Sequence, residues 1–320
     1  MIPAYDGSIA IPHGRVEPSR RAILKGAAGC MATALPVLAL AQAGRAAQPP
    51  LTVDLDKIEK VAVNGHINQG VCGCGLRMPL EQKCALIAKM GIKSMDFTGP
   101  NDWPTLKKHG LVCSLAGGAG NIPTGWNRKE NHAKLIDDMK KSIDRVSEAG
   151  WPTVITFSGN RHKGRDDKEG VSDEEGAKTC IEGLKQVAGY AEEKKVTIVI
   201  ELLNSNRNHP DYQADHTAWG AQVCKGVGSE RVKLLYDIYH MQIMEGDLMA
   251  TIREFKDYIG HYHTAGNPGR NELDENQEIY YPAVMRTIVS TGYKGYVSHE
   301  YGPKGDPIKA LIEAVKACDV

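Results

Sequence analysis

Thr197-Ile198-Val199-Ile200-Glu201 is an apolar, β-branched run that ends in a carboxylate, and the pattern returns three times downstream. It recurs as Lys233-Leu234-Leu235-Tyr236-Asp237, as His261-Tyr262-His263 with imidazole in place of the acid, and as Tyr296-Val297-Ser298-His299-Glu300. Short apolar runs of this kind read as buried strands. Working outward, the spacing predicts strands over 61–66, 93–97, 112–115, 153–158, 196–202, 232–237, 260–264 and 295–300, separated by eight helical stretches. Typical helical stripes are Leu135, Met139, Ile143 and Val146, or Ile181, Leu184, Val187 and Ala188. Strict alternation of strand and helix points to parallel strands with crossover helices. Eight units within ~250 residues is the size of a closed eight-stranded parallel (β/α)8 TIM barrel.

The connections divide into two kinds. Helix-to-strand links are short and marked by glycine, as at Met90-Gly91-Ile92, His109-Gly110-Leu111 and Ala149-Gly150-Trp151. Strand-to-helix links are long and polar, over 159–176, 204–215 and 265–277. In a barrel the long links decorate the carboxyl ends of the strands, where active sites of this architecture lie. Gly117-Gly118-Ala119-Gly120 reads as a loop after the third strand. It lacks the spacing and the downstream acid of a dinucleotide fingerprint.

Composition narrows the function. The 320 residues carry 39 Lys plus Arg against 39 Asp plus Glu, so there is no broad positive field to attract a nucleic acid. No apolar run after the N-terminal segment reaches the length that spans a bilayer. The expected partner is a small molecule, and a homo-oligomer is compatible with the sequence.

The N-terminal segment differs from the rest. Ser19-Arg20-Arg21-Ala22-Ile23-Leu24-Lys25 precedes an Ala/Gly/Leu-rich stretch and a small-residue region ending near Ala47. It resembles a twin-arginine export signal, with Ile23 in the Phe place. The resemblance implies the twin-arginine machinery as a partner, a periplasmic or secreted product, cleavage at Ala41-Gln42-Ala43 or near Ala47, and a barrel domain over 48–320. Of the eight cysteines, the seven outside this segment show no disulfide framework and read as buried thiols; Cys72-Gly73-Cys74 lacks the second pair that a structural zinc site needs.

Four consecutive strands thus end in a metal-ligand type of residue. A charged group at the end of a buried strand costs several kcal/mol unless it is paired, so four on one rim call for a shared partner. A divalent cation supplies it. Three carboxylates, Glu201, Asp237 and Glu300, with one imidazole, His263, suit Mn²⁺, Mg²⁺, Co²⁺ or Zn²⁺. Such an ion, chelated by an α-hydroxycarbonyl compound, acidifies the intervening C–H and stabilises an enediolate. Glu201 is the candidate base and Glu300 the candidate acid. His240, three residues past Asp237, is placed to meet a substrate oxygen. Arg270 is suited to a substrate carboxylate, unless Glu272 or Asp274 in its own loop claims it. Arg161 adds positive charge to the same rim and is a third candidate for substrate binding.

The segments Ile200-Glu201-Leu202-Leu203-Asn204, Leu235-Tyr236-Asp237-Ile238-Tyr239-His240, 259–270 and Ser298-His299-Glu300-Tyr301 resemble the xylose-isomerase-like barrel superfamily, in particular its hydroxypyruvate isomerase branch. The resemblance covers most of the chain after the leader. It implies that Glu201, Asp237, His263 and Glu300 bind one divalent metal, that the two glutamates also move protons, and that His240 and Arg270 touch substrate. One position departs from the branch: hydroxypyruvate isomerases commonly carry Gln where His263 stands, and ketose 3-epimerases carry His. A sugar epimerase or dehydratase, or a non-catalytic carbohydrate binder, are the alternatives on the same scaffold.

Overall fold

The computed structural model describes Leu51 and residues 53–320, so the twin-arginine motif and its cleavage sites lie outside the described residues. The described chain folds as nine parallel strands: β1 (Asn68–Val71), β2 (Ser94–Met95), β3 (Val112–Cys113), β4 (Ala116–Ala119), β5 (Thr153–Thr156), β6 (Thr197–Glu201), β7 (Val232–Asp237), β8 (Ile259–Thr264) and β9 (Tyr296–His299). Their order is β3-β2-β1-β9-β8-β7-β6-β5-β4. Only Ser114 and Leu115 separate β3 from β4, so the sheet curls into a nearly closed barrel whose seam is a break within one strand. Eight barrel strands were expected, and the third is the one that splits.

Two readings are corrected. The stretch 61–66 is not a strand: Val61 and Ala62 donate their backbone N–H groups to Met90 O outside the barrel, and Val63 is 61% exposed. Alternating β-branched residues there mimic a strand, while the true first strand, Asn68-Gln69-Gly70-Val71, has little strand propensity. The Gly117-Gly118-Ala119 segment, read as a loop, belongs to β4. Gly118 is required because a Cβ there would stand 2.0 Å from Ile155 O.

Nine α-helices among the described residues surround the strands: α1 (Leu80–Lys89), α2 (Trp103–Lys108), α3 (His132–Ala149), α4 (Asp173–Lys194), α5 (Thr217–Val227), α6 (Ile238–Met244), α7 (Leu248–Phe255), α8 (Tyr281–Ser290) and α9 (Pro307–Cys318). The expected count was eight; the β7–β8 crossover holds two, α6 and α7. The expected stripe Leu135, Met139, Ile143 and Val146 is the buried face of α3. Gly91, Gly110 and Gly150 follow helices with φ of 88°, 68° and 78°, the left-handed geometry that ends a helix without steric cost. No helix among the described residues is long and apolar enough to cross a membrane. The seven described cysteines are free and buried.

The period-two alternation of the strands sorts the core into two parts. Ile198, Ile200, Leu234, Tyr236, Tyr262 and Val297 face outward and lie in the main core under the helices. Full burial of such side chains contributes about 1.5–3 kcal/mol each. Leu115, Ile155, Val199 and Leu235 face inward and form a separate apolar plug. Glu201 and Asp237 follow Val199 and Leu235 by two residues and therefore stand on the same inward face, one layer nearer the mouth.

Candidate active site

The register shows how the strands lift their terminal residues to one level. Glu201 pairs with Leu235, so Asp237 stands two residues further along; Asp237 pairs with His263; His263 pairs with Ser298, and Glu300 again stands two residues beyond. Strand tilt in a barrel compensates this stagger. The result is a cluster in which one ligand atom each of Glu201, Asp237, His263 and Glu300 lies within 4.8 Å of every other. The first three residues are buried and Glu300 is half-buried.

Each head is held by a local device. Asp237 caps α6, its Oδ1 accepting the N–H of His240 at 3.1 Å, which leaves Oδ2 free to face the cluster. His263 donates from Nε2 to Asp96 Oδ2 at 3.1 Å. Its Nδ1 lies 2.8 Å from Glu300 Oε2 without the alignment of a hydrogen bond. Asp96 is buried at the end of β2, accepts a hydrogen bond from Ser114 Oγ on Oδ1, and receives His261 Nε2 at 3.0 Å on Oδ2, the oxygen that His263 also uses. Burial works to raise the Asp96 pKa, yet the two imidazoles hold it below the ordinary carboxylate range.

The two glutamates are pushed apart. Burial, then the neighbouring charge of Glu300, drives Glu201 up to about 8. Burial opposes ionisation of Glu300 too, but Arg270 and His263 outweigh it and hold that carboxyl at about 2. One glutamate can exchange a proton near neutrality while the other stays ionised.

His240 Nδ1 accepts from the backbone N–H of Asn204 at 3.2 Å and from Asn204 Nδ2 at 2.6 Å, which places the ring proton on Nε2. That nitrogen is buried, has no hydrogen-bond partner among the described residues, and lies 3.7 Å from Asp237 Oδ2. Burial, with Arg270 and His209 nearby, keeps the ring neutral by pushing its pKa well down. Arg270 bonds neither Glu272 nor Asp274; its Nη2 donates to Asp237 Oδ2 at 3.1 Å and to Glu300 Oε2 at 2.6 Å.

Arg161 does not join them. Its donors go to Asp173, Tyr212 O and Asp215, so the expectation that it meets substrate finds no support in its contacts. It clamps the loop after β5 to the loop after β6. A surface cavity of about 710 Å³ beside that clamp, lined by Arg128, His162 and Arg165 among others, contains none of the four cluster residues.

Asp96, His261, Asn204 and the half-buried His209, whose ring centroid is 5.3 Å from that of His240, were not anticipated. Asp96 carried a signal: it follows Ser94-Met95 as a strand-end acid of the same kind as Glu201 and Asp237.

The donor set fits a divalent ion. Carboxylate oxygens of three residues and an imidazole Nδ1, whose opposite nitrogen is anchored by a carboxylate, are donor types that could hold such an ion.

A parallel barrel with acid and imidazole ligands gathered at the carboxyl ends of its strands defines a class, and comparison with known proteins agrees with it. Residues 103–318 match the xylose isomerase-like TIM barrel family model. The chain is 34% identical to hydroxypyruvate isomerase of Escherichia coli over 228 residues, which covers 68% of this chain and 85% of that one. It is 36% identical to 2-oxo-tetronate isomerase of Cupriavidus necator over 126 residues, 39% of this chain and 48% of that one. Among solved structures, an AP endonuclease, family 2, from Brucella melitensis superposes with a TM-score of 0.65 at 25% identity, covering 77% of this chain and 96% of that one. 3-Keto-D-glucoside 4-epimerase from Escherichia coli superposes at 0.64 and 20% identity, with 78% and 97% covered, and shares the fold. The chain belongs to the xylose isomerase-like TIM barrel family and, within it, to the branch that contains the hydroxypyruvate isomerases.

Proposed function

We propose that the protein is a divalent-metal-dependent isomerase of a small α-hydroxycarbonyl acid, hydroxypyruvate being the model substrate, working by proton transfer through an enediolate. The observation that carries the reading is the convergence of Glu201, Asp237, His263 and Glu300 within 4.8 Å at the barrel mouth, beside an arginine. The names of the relatives agree with a keto-acid substrate.

Glu201, Asp237, His263 and Glu300 would hold the ion, and when bound it would polarise the substrate carbonyl and acidify the neighbouring C–H. Glu201, whose burial raises its affinity for a proton in the metal-free site, is assigned the removal of the proton from the hydroxyl-bearing carbon. Glu300, ionised in the free site, is assigned the return of a proton at the adjacent carbon: it takes that proton from solvent, and Glu201 gives up its own to solvent to close the cycle. The orphan Nε2–H of His240 donates to a substrate oxygen and follows the charge as carbonyl and hydroxyl exchange places. Arg270 is the one guanidinium on the cluster among the described residues and receives the carboxylate. No net redox change occurs, and one C–H bond is broken for each one made.

Incubating the metal-loaded protein with hydroxypyruvate in D₂O should place deuterium on carbon, and Glu201→Gln should remove this exchange while the fold survives. Exchange undiminished in that variant takes Glu201 out of the role. A second reading, a sugar epimerase, is favoured by His263; exchange with ketoses and none with hydroxy-keto acids would select it. The net charge of zero works against an endonuclease.

Export forms a further part of the proposal and rests on Ser19-Arg20-Arg21-Ala22-Ile23-Leu24-Lys25. Replacing Arg20→Lys together with Arg21→Lys should strand the protein in the cytoplasm, measured by cell fractionation. Unchanged distribution would sink the export reading.

A further inference from the structure

The guanidinium of Arg270 lies on the same oxygens that a metal would need. Asp237 has one oxygen committed to capping α6, and it is the other, Oδ2, that faces Arg270 Nη2 at 3.1 Å. The same nitrogen lies 2.6 Å from Glu300 Oε2, the oxygen that also stands 2.8 Å from His263 Nδ1. A single cationic nitrogen therefore joins two members of the four-residue cluster and stands beside a third.

The backbone around it is pinned. Gly266 and Asn271 exchange backbone hydrogen bonds at 2.7 and 3.3 Å, and Gly302 N–H donates to Arg270 O at 2.9 Å. Arg270 itself takes a left-handed φ of 56° within this turn. Its side chain is the part with freedom: it is one-quarter exposed, and its guanidinium carbon lies 5.6 Å from the ring centroid of Tyr239, a contact it can keep while its nitrogens re-aim.

Resting on the metal-dependent reading above, the geometry points to Arg270 as a built-in counter-cation that competes with the divalent ion for Asp237 and Glu300. Clustered, buried carboxylates need a positive partner, and the guanidinium is that partner until an ion arrives. A dication and a guanidinium cannot share the same two oxygens, because like charges a few ångströms apart repel strongly in a site of low polarisability. Loading therefore turns the guanidinium off the cluster, and Tyr239 keeps it in the mouth, available to the carboxylate of an acid substrate. Metal and acid then help each other bind, since each favours the same position of one side chain.

The test is a calorimetric titration of Mn²⁺ into the metal-stripped protein and into Arg270→Gln, with no substrate present. The variant should bind Mn²⁺ about ten-fold tighter or more, the factor equivalent to one charged hydrogen bond. It should also gain more in melting temperature on loading than wild type does. Should Arg270→Gln fail to fold, Arg270→Met serves, because it keeps an apolar stem in the mouth and removes the charge, and it too should bind tighter than wild type. Equal or weaker binding in the variants overturns the inference and leaves the metal reading standing. No Mn²⁺ binding by wild type, nor by Co²⁺, Mg²⁺ or Zn²⁺ in its place, overturns both.

Discussion

Strands β6 to β9 run for five, six, six and four residues, with one register shift, between Leu234 and Leu235. Strands β1 to β4 run for four, two, two and four, break outright between Cys113 and Ala116, and shift register again where β4 meets β5. All four cluster residues come from the first group. The second group supplies support: Asp96 behind His263, Phe97 edge-on to the His263 ring at 6.3 Å, and Leu115 in the apolar plug. Four heads can reach one level only if their strands keep a regular stagger, whereas a brace needs just one side chain in the right place. Regularity is spent where it sets geometry.

The largest effect expected from this contrast is on stability. Gly118→Ala in β4 drives a Cβ to within 2.0 Å of a backbone oxygen, Ile155 O, so β5 itself must move. The cost should reach the upper end of the about 1–3 kcal/mol typical of overpacking. Gly260→Ala in β8 meets a side-chain carbon, Lys233 Cβ, at 2.8 Å, and should cost less. Urea unfolding of the two variants measures the difference. Equal losses would mean that the short-stranded half is no tighter than the other.

The same contrast explains what could be read from sequence. Glu201, Asp237, His263 and Glu300 were legible because each closes a continuous run whose inward residues alternate with outward ones, and the barrel class followed from those runs. The irregular half was not legible in this way. Gly70 enters β1 where a Cβ would meet Ser94 Oγ and Ser298 Oγ at 2.3 and 2.4 Å, so packing chose a residue that propensity disfavours. Val61 and Val63 have the propensity but no place in the sheet. Arg161 and Arg270 looked alike as loop arginines; only three-dimensional pairing separates a clamp on Asp215 from a cation on the cluster. Asp96 was passed over because it sits inside the expected strand 93–97, whereas the actual β2 ends at Met95 and leaves Asp96 at the rim.

Asp96 is therefore the residue on which the division between cluster-bearing and supporting halves can be sharpened at smaller amplitude. Asp96→Asn keeps shape and one acceptor oxygen, so His263 can still donate from Nε2, but the negative charge that strengthens this bond and raises the basicity of Nδ1 is gone. Replacing such an outer partner typically weakens metal binding by roughly 10–100-fold. We expect that range for Asp96→Asn in a Mn²⁺ titration, with turnover regained at saturating metal because no group proposed to move protons has changed. His261→Gln, which removes an imidazole from the same oxygen while leaving the His263 contact in place, should weaken binding less. If Asp96→Asn binds Mn²⁺ as wild type does, the carboxylate merely fills space beneath the ring, and the short strands contribute packing to the site and nothing to its affinity.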